Sequence, residues 1–248
     1  MALIEEFEDQ GNTLFKYRSY LPLIFLGIGL AVFYYQKTQL AMPNLGEYYW
    51  YICFGVGILG LLVRIYTVGH TPAGTSGRNT DEGQLAEELN QTGIYSIVRH
   101  PLYLGNFLMW LAVVLLTVNI WFIVAFAFCY WLYYERIMFA EEAFLRRKFG
   151  DSYLKWAADK PAFIPKLQSP STPKYPFSIR KVLSKEKNGL AAMFLLFWIF
   201  ELVGSFAEWG QIVFKPTFWF WGTVVSAVLY LVLKTLKYQT KILVEEGR

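Results

Sequence analysis

PLYLGNFLMWLAVVLLTVNIWFIVAFAFCYWLYY, residues 101–134, contains no Asp, Glu, Lys or Arg. A helix that crosses a bilayer needs about 20 mostly apolar residues. The stretch breaks at Val118 and Asn119, so it reads as two spans, 101–117 and 119–134, folded into a tight hairpin. Four more apolar segments flank it, at about 20–36, 48–68, 189–207 and 217–234. The expected fold is an all-α integral membrane protein with about six transmembrane helices, plus interfacial helices on the cytoplasmic side.

Composition agrees. The 248 residues are 55% hydrophobic and 19% aromatic, but only 17% charged. Soluble domains carry about 25% charged residues. Cys53 and Cys129 both lie in apolar runs and lack partners at ligand spacing, so neither a disulfide nor a metal site is expected. Nothing points to nucleic acid. The acidic start, MALIEEFEDQ, argues against a cleaved signal, and the terminal VEEGR carries no prenylation motif.

Charge orients the spans. Arg136, Arg146, Arg147, Lys148, Lys155, Lys160, Lys166, Lys174, Arg180, Lys181, Lys185 and Lys187 all fall in one connection. The short hairpin tips carry little more than Lys37 and Lys215. The positive-inside rule then puts both termini and both long connections in the cytoplasm. The absence of a eukaryotic retrieval tail suggests a bacterial inner membrane. QSPSTPKYP, 168–176, is rich in Pro and Ser and reads as a connection. The expected organisation is a core of four spans and post-span helices at 1–167, a linker at 168–188, and a two-span hairpin at 189–248.

Residues 99–105, RHPLYLG, sit at the lip of the third span. Pro101 suits the first turn of a helix and pushes His100 out of helical geometry. The first turn's N–H groups then make a place for an anion, beside the permanent charge of Arg99. Tyr103, Asn106 and Trp110 share a face with Arg99. Gly105 gives room for close approach of a backbone or a ligand. An interfacial belt of snorkelling Arg and anchoring Tyr and Trp is the competing reading.

Residues 69–80, GHTPAGTSGRNT, contain no acid. Small residues with His70 and Arg78 can present backbone N–H groups and a bidentate donor to an anionic head group; a flexible loop is the alternative. After the fourth span, YERIMFAEEAFLRRKF (134–149) keeps helical periodicity, with Tyr134, Met138, Leu145 and Phe149 on one face. Glu141 lies within that arc and Glu142 at its edge. Carboxylates there are costly unless paired or used. Glu201, inside FLLFWIFELVGSF (194–206), is a functional candidate for the same reason, as a proton carrier or a polar substrate contact.

Taken together, RHPLYLG, then ERIMFAEEAFLRRKFGDSYLKW, then PAFIP resemble the isoprenylcysteine carboxyl methyltransferase and phospholipid methyltransferase superfamily. The resemblance covers about residues 92–167. It implies an integral membrane methyltransferase that uses S-adenosylmethionine and takes a lipid substrate from the bilayer. It also implies that His100, Pro101, Tyr103 and Gly105 line the cofactor pocket. Glu141 and Glu142 would bind the cofactor or orient the reacting group, and Arg99 would position an anion. These three are the catalytic candidates; His70, Arg78, Asn106 and Glu201 are the substrate-binding ones. Many relatives carry Arg before the Phe-Ile-Pro close, where this chain has Ala162.

The acid-free segment carrying Arg78 favours an anionic head group, phosphate or carboxylate, as methyl acceptor. Such an acceptor needs no general base, whereas an amine would. An NADPH-dependent sterol-type reductase and a proton-coupled transporter are the alternatives. Oligomeric state is left open by the sequence.

Overall fold

The computed structural model describes residues 2–40, 43, 45–72, 86–240 and 242–245. In chain order its helices are α1 (Leu3–Lys16), α2 (Leu21–Gln39), α3 (Gly46–Gly69), α4 (Pro101–Leu115), α5 (Ile120–Phe149), α6 (Asp151–Ala157), α7 (Ile179–Trp209) and α8 (Phe218–Gln239). A 3-10 turn at Gly93–Ser96 precedes α4.

Residues 101–134 form the expected hairpin. Val118 takes a positive φ of 49° at its tip. Asn119 then accepts from the Phe122 N–H at 2.9 Å and caps α5. The third apolar helix is shorter than its sequence suggests, because the chain turns after Leu115. At 15 residues it is about 22 Å long, against a hydrocarbon core of about 30 Å. Among the described residues, five helices rather than six are long and apolar enough to cross a membrane: α2, α3, α5, α7 and α8. Their outer faces carry large exposed apolar side chains such as Ile52, Trp121, Phe128 and Val225, as a lipid-facing surface requires.

Two cores hold the bundle. One joins Phe15 of α1 to Phe122, Phe126, Tyr130 and Tyr134 of α5 and Val114 of α4. The other joins Phe33 of α2, Cys53 of α3, Ala112 and Val113 of α4, Phe197 and Phe200 of α7, and Trp219 of α8. The C-terminal hairpin thus packs into the same bundle as the first spans.

Helices α3 and α4 meet backbone to backbone. A Cβ on Gly60 would lie 2.5 Å from the Gly105 carbonyl oxygen, and one on Gly105 would lie 2.8 Å from the Gly60 oxygen. Small residues allow such an approach within a membrane, where packing rather than water drives association.

The polar connection at 168–178 is tied down. Ser171 N–H donates to Ser96 Oγ, and Lys174 N–H to Thr92 Oγ1. Lys174 Nζ and the Tyr175 hydroxyl both donate to Glu88. Ser178 N–H donates to the Gly69 carbonyl at 2.9 Å. Helix α7 then starts at Ile179, within the stretch read from sequence as a linker, because an amphipathic segment continues the apolar run backward by about three turns.

Candidate functional site

The site begins with a short strap of backbone pairing. Arg99 N–H donates to the Pro161 carbonyl at 2.9 Å, His100 N–H to Ala162 at 3.0 Å, and Lys166 N–H to Ile97 at 3.0 Å. Pro101 opens α4, and His100 sits before it at φ −123°, ψ 61°. The proline thus ends the paired segment and presents two consecutive side chains at the helix mouth.

Helix α5 supplies their partners. Its 30 residues run about 45 Å, well beyond a hydrocarbon core, so its last turns stand clear of the apolar spans. Arg99 Nη1 donates to Glu142 Oε2 at 2.7 Å. His100 Nε2 lies 2.9 Å from Glu142 Oε1, and its Nδ1 lies 3.5 Å from Glu141 Oε2. The Tyr103 hydroxyl donates to Glu141 Oε1 at 2.7 Å. Tyr103 is held from behind, where its carbonyl accepts from the Tyr130 hydroxyl at 2.7 Å.

His100 is 7% exposed. Burial disfavours its charged form, but hydrogen bonds and charge from Glu141 and Glu142 outweigh that and raise its pKa above the ordinary histidine value. The arrangement is a charge-balanced chain: Arg99, Glu142, His100, Glu141, then the Tyr103 hydroxyl.

Beside it lies a cavity of about 340 Å³, within the range of small-molecule sites. Arg99, His100, Pro101, Tyr103, Asn106 and Glu141 line it. Glu142 lies behind His100 and anchors it. The sequence did not single out the remaining walls. Phe15 and Arg18 come from the N-terminal region, Tyr95 and Trp156 supply aromatic surface, and Lys185 and Glu186 come from α7. Arg64 of α3 crosses the floor. It makes a bidentate pair with Glu186 at 2.8 and 2.8 Å and donates to Asn106 Oδ1 at 2.6 Å.

Gly105 faces α3 rather than the cavity. A Cβ there would lie 2.5 Å from Arg64 Cγ, so the glycine makes room for the arginine stem. His70 is also set apart: its Nδ1 lies 2.9 Å from the Tyr175 carbonyl oxygen, and its ring packs on Tyr66 and Phe177. Glu201 lies two to three turns from the opposite end of α7 and accepts from the Thr217 hydroxyl at 2.7 Å. Arg78 lies outside the described residues.

Helix α1 was legible only as an acidic start, although Leu3, Phe7, Leu14 and Phe15 recur at helical spacing. It docks along α5. Gly11 packs directly on the Arg136 carbonyl, and the Tyr133 hydroxyl donates to the Leu14 carbonyl at 2.8 Å. The Arg136 guanidinium lies 3.5 Å over the Phe7 ring, and Arg147 pairs with Glu8 at 2.6 Å. The two arginines on the outer face of α5 therefore hold the helix that closes one side of the cavity.

The donor set suits S-adenosylmethionine. Glu141 offers a carboxylate to a sulfonium or to ribose hydroxyls, Tyr95 and Trp156 offer flat apolar surface, and Arg99 and Arg18 offer cations to a carboxylate.

A family model described as phospholipid methyltransferase matches residues 50–152. Two curated Arabidopsis thaliana proteins named protein-S-isoprenylcysteine O-methyltransferase are similar. The B form is 31% identical over 147 residues, 56% of this chain and 72% of that protein. The A form is 30% identical over 146 residues, with the same coverage. A protein-S-isoprenylcysteine O-methyltransferase of Schizosaccharomyces pombe is 37% identical over 73 residues, which span 29% of this chain and 31% of that protein. No solved structure matches significantly.

Proposed function

Because the chain belongs to the isoprenylcysteine carboxyl methyltransferase and phospholipid methyltransferase superfamily of membrane methyltransferases, we propose that the cavity beside His100 holds S-adenosylmethionine and that the acceptor is the anionic head, phosphate or carboxylate, of a membrane lipid. The observation that carries this reading is the Arg99–Glu142–His100–Glu141–Tyr103 chain, aimed into a cavity at the end of the spans.

Bound S-adenosylmethionine supplies a methyl group already activated on a sulfonium. The protein's task is then alignment. Glu141 faces the cavity with a carboxylate fixed by Tyr103. Glu142 holds Arg99 and His100 so that their side chains do not swing. Arg64, locked by Glu186 and Asn106, brings a third guanidinium to the cavity floor, where an anionic head group arriving along the spans would meet it. Arg18 stands at the corner between α1 and α2 and serves the same end.

An anionic oxygen would take the methyl group with no proton to move, so the residues around the cavity would need only to hold and orient it. Arg18, Arg64, Arg99 and Lys185 line the cavity beside Glu88, Glu141 and Glu186; the guanidinium N–H groups that Arg64 and Arg99 do not spend on Glu186 and Glu142 are what an anionic acceptor would meet. The reductase and transporter readings gain no contact of their own, since Glu201 sits well away from the cavity.

In this reading the His100 end of the bundle is cytoplasmic, as are both termini. The test is calorimetric binding of S-adenosylhomocysteine to the detergent-purified chain, with NADPH as the competing ligand. Micromolar binding that weakens at least tenfold in Glu141→Gln supports the reading. Binding of NADPH instead, or of neither, would overturn it. Turnover on phosphatidylethanolamine but on no anionic lipid would overturn the acceptor assignment.

A further inference from the structure

At the opposite end of the bundle, α2, α3, α7 and α8 enclose a second cavity of about 660 Å³. It lies about 21 Å from Arg64 along α3 and about 22 Å from Glu186 along α7, at 1.5 Å per residue. Its inner wall is aromatic. Phe33 is fully buried and Trp219 is 6% exposed. Trp50 packs between them, with ring centroids 6.3 Å from Phe33 and 6.1 Å from Trp219. Glu201 opens into the same space, its carboxylate steadied by the Thr217 hydroxyl. One bond leaves a carboxylate with capacity for further donors. Lys37, Lys215, Glu47 and Glu208 are exposed residues that also line the cavity.

An interfacial belt of Trp and Tyr explains aromatic residues at this depth. It does not explain a concave site in which aromatic faces and a steadied carboxylate share the lining with two lysines and two exposed glutamates. Aromatic faces and a carboxylate attract an organic ammonium. Lysines attract a phosphate. A phospholipid head group with a phosphate and an amine carries both charges a few ångströms apart.

The structure assigns this cavity, we infer, as a binding site for a zwitterionic phosphate–ammonium lipid head group of the leaflet opposite the His100 cavity. The ammonium sits against Trp50, Trp219 and Glu201, and the phosphate on Lys37 and Lys215. The site is independent of the methyl-transfer reading and stands or falls by its own experiment.

That experiment is native mass spectrometry of the full detergent-solubilised chain, titrated with dihexanoylphosphatidylethanolamine or dihexanoylphosphatidylglycerol. The expected result is one saturable ethanolamine-lipid site for which phosphatidylglycerol competes about tenfold more weakly; phosphatidylglycerol held at the His100 cavity is a separate adduct that does not compete. Glu201→Gln and Trp50→Leu abolish the preference, and Lys215→Ser weakens both lipids. Gly27→Ala, which lines neither cavity and has open space around its Cβ, leaves the preference intact. Thermal unfolding of each variant shows whether it is folded, and the two preference variants are read separately. Equal competition by both lipids for the ethanolamine-lipid site of the wild-type chain would overturn the assignment, as would a preference that survives both Glu201→Gln and Trp50→Leu. Free phosphoethanolamine binding as tightly as the lipid would overturn the leaflet source in favour of a soluble ligand.

Discussion

Glu142 takes the Arg99 guanidinium at 2.7 Å on one oxygen and leaves the other for His100. One carboxylate therefore fixes two consecutive side chains at the mouth of α4. Its neighbour Glu141 faces the cavity, held by the Tyr103 hydroxyl at 2.7 Å and more loosely by His100 Nδ1 at 3.5 Å. Adjacent residues of one helix have different jobs because they point about 100° apart.

Glu142→Gln should cost more stability than Glu141→Gln. Removing Glu142 leaves Arg99 and His100 facing each other with little screening, since the paired groups are only 18–21% exposed. The expected loss is about 1–3 kcal/mol, less than for a fully buried pair. Glu141→Gln should instead weaken S-adenosylhomocysteine binding at near-normal stability. Unfolding midpoints and calorimetry on both variants check this; the opposite ranking in either assay would refute the division of roles.

His100 gives a pH signature. Its folded pKa is raised above the ordinary histidine value of 6.5 by hydrogen bonds and charge from Glu141 and Glu142, against the cost of burial. A group raised on folding stabilises fully below its unfolded pKa and loses that contribution as pH rises through the folded pKa. Stability should therefore be greatest near pH 6 and decline as pH climbs above about 6.5. The decline should be missing in His100→Gln. Unfolding midpoints taken from pH 6 to pH 9 on both proteins test it, and parallel curves would contradict it.

Gly105→Ala should destabilise by about 1–3 kcal/mol through overpacking. The new Cβ meets Arg64 Cγ at 2.5 Å and the Gly60 carbonyl at 2.8 Å, neither of which can move without parting α3 from α4. Gly27→Ala is the control: nothing lies within 4 Å of a Cβ there, and alanine is the better helix former. Equal unfolding midpoints for the two variants would count against backbone contact at Gly60 and Gly105.

Gly11→Leu should lift α1 from α5, because the side chain would have to occupy the place of the Arg136 carbonyl. Limited proteolysis should then cut between α1 and α2, and S-adenosylhomocysteine affinity should fall several-fold as Phe15 and Arg18 leave the cavity wall. Undiminished affinity in a protein whose α1 is cleaved would show that the helix is dispensable to the site.

The local features of the site were legible in the chain. Pro101 defines a helix start from its own ring geometry, and the apolar run 101–134, broken at Val118 and Asn119, defines a hairpin. Glu141 drew attention because an acid on an apolar face needs a partner. What was not legible was which partner. Glu142 could have paired with Arg146 one turn away, yet it pairs with Arg99, which lies 43 residues back along the chain. Short-range spacing cannot reveal a pair made by two helices meeting.

The sequence by itself determined that this is a helical membrane protein and where most of its apolar helices run, because burying a backbone in lipid requires uninterrupted apolar helices. It also determined the motif order that places the chain in its superfamily. Tertiary structure alone decided that Gly105 lies against Arg64 and the Gly60 carbonyl, that α1 and the start of α7 wall the cavity, and that Glu201 lines a different cavity. Each of these depends on how helices distant in sequence approach one another, and that approach is set by packing at a few small residues rather than by any local pattern.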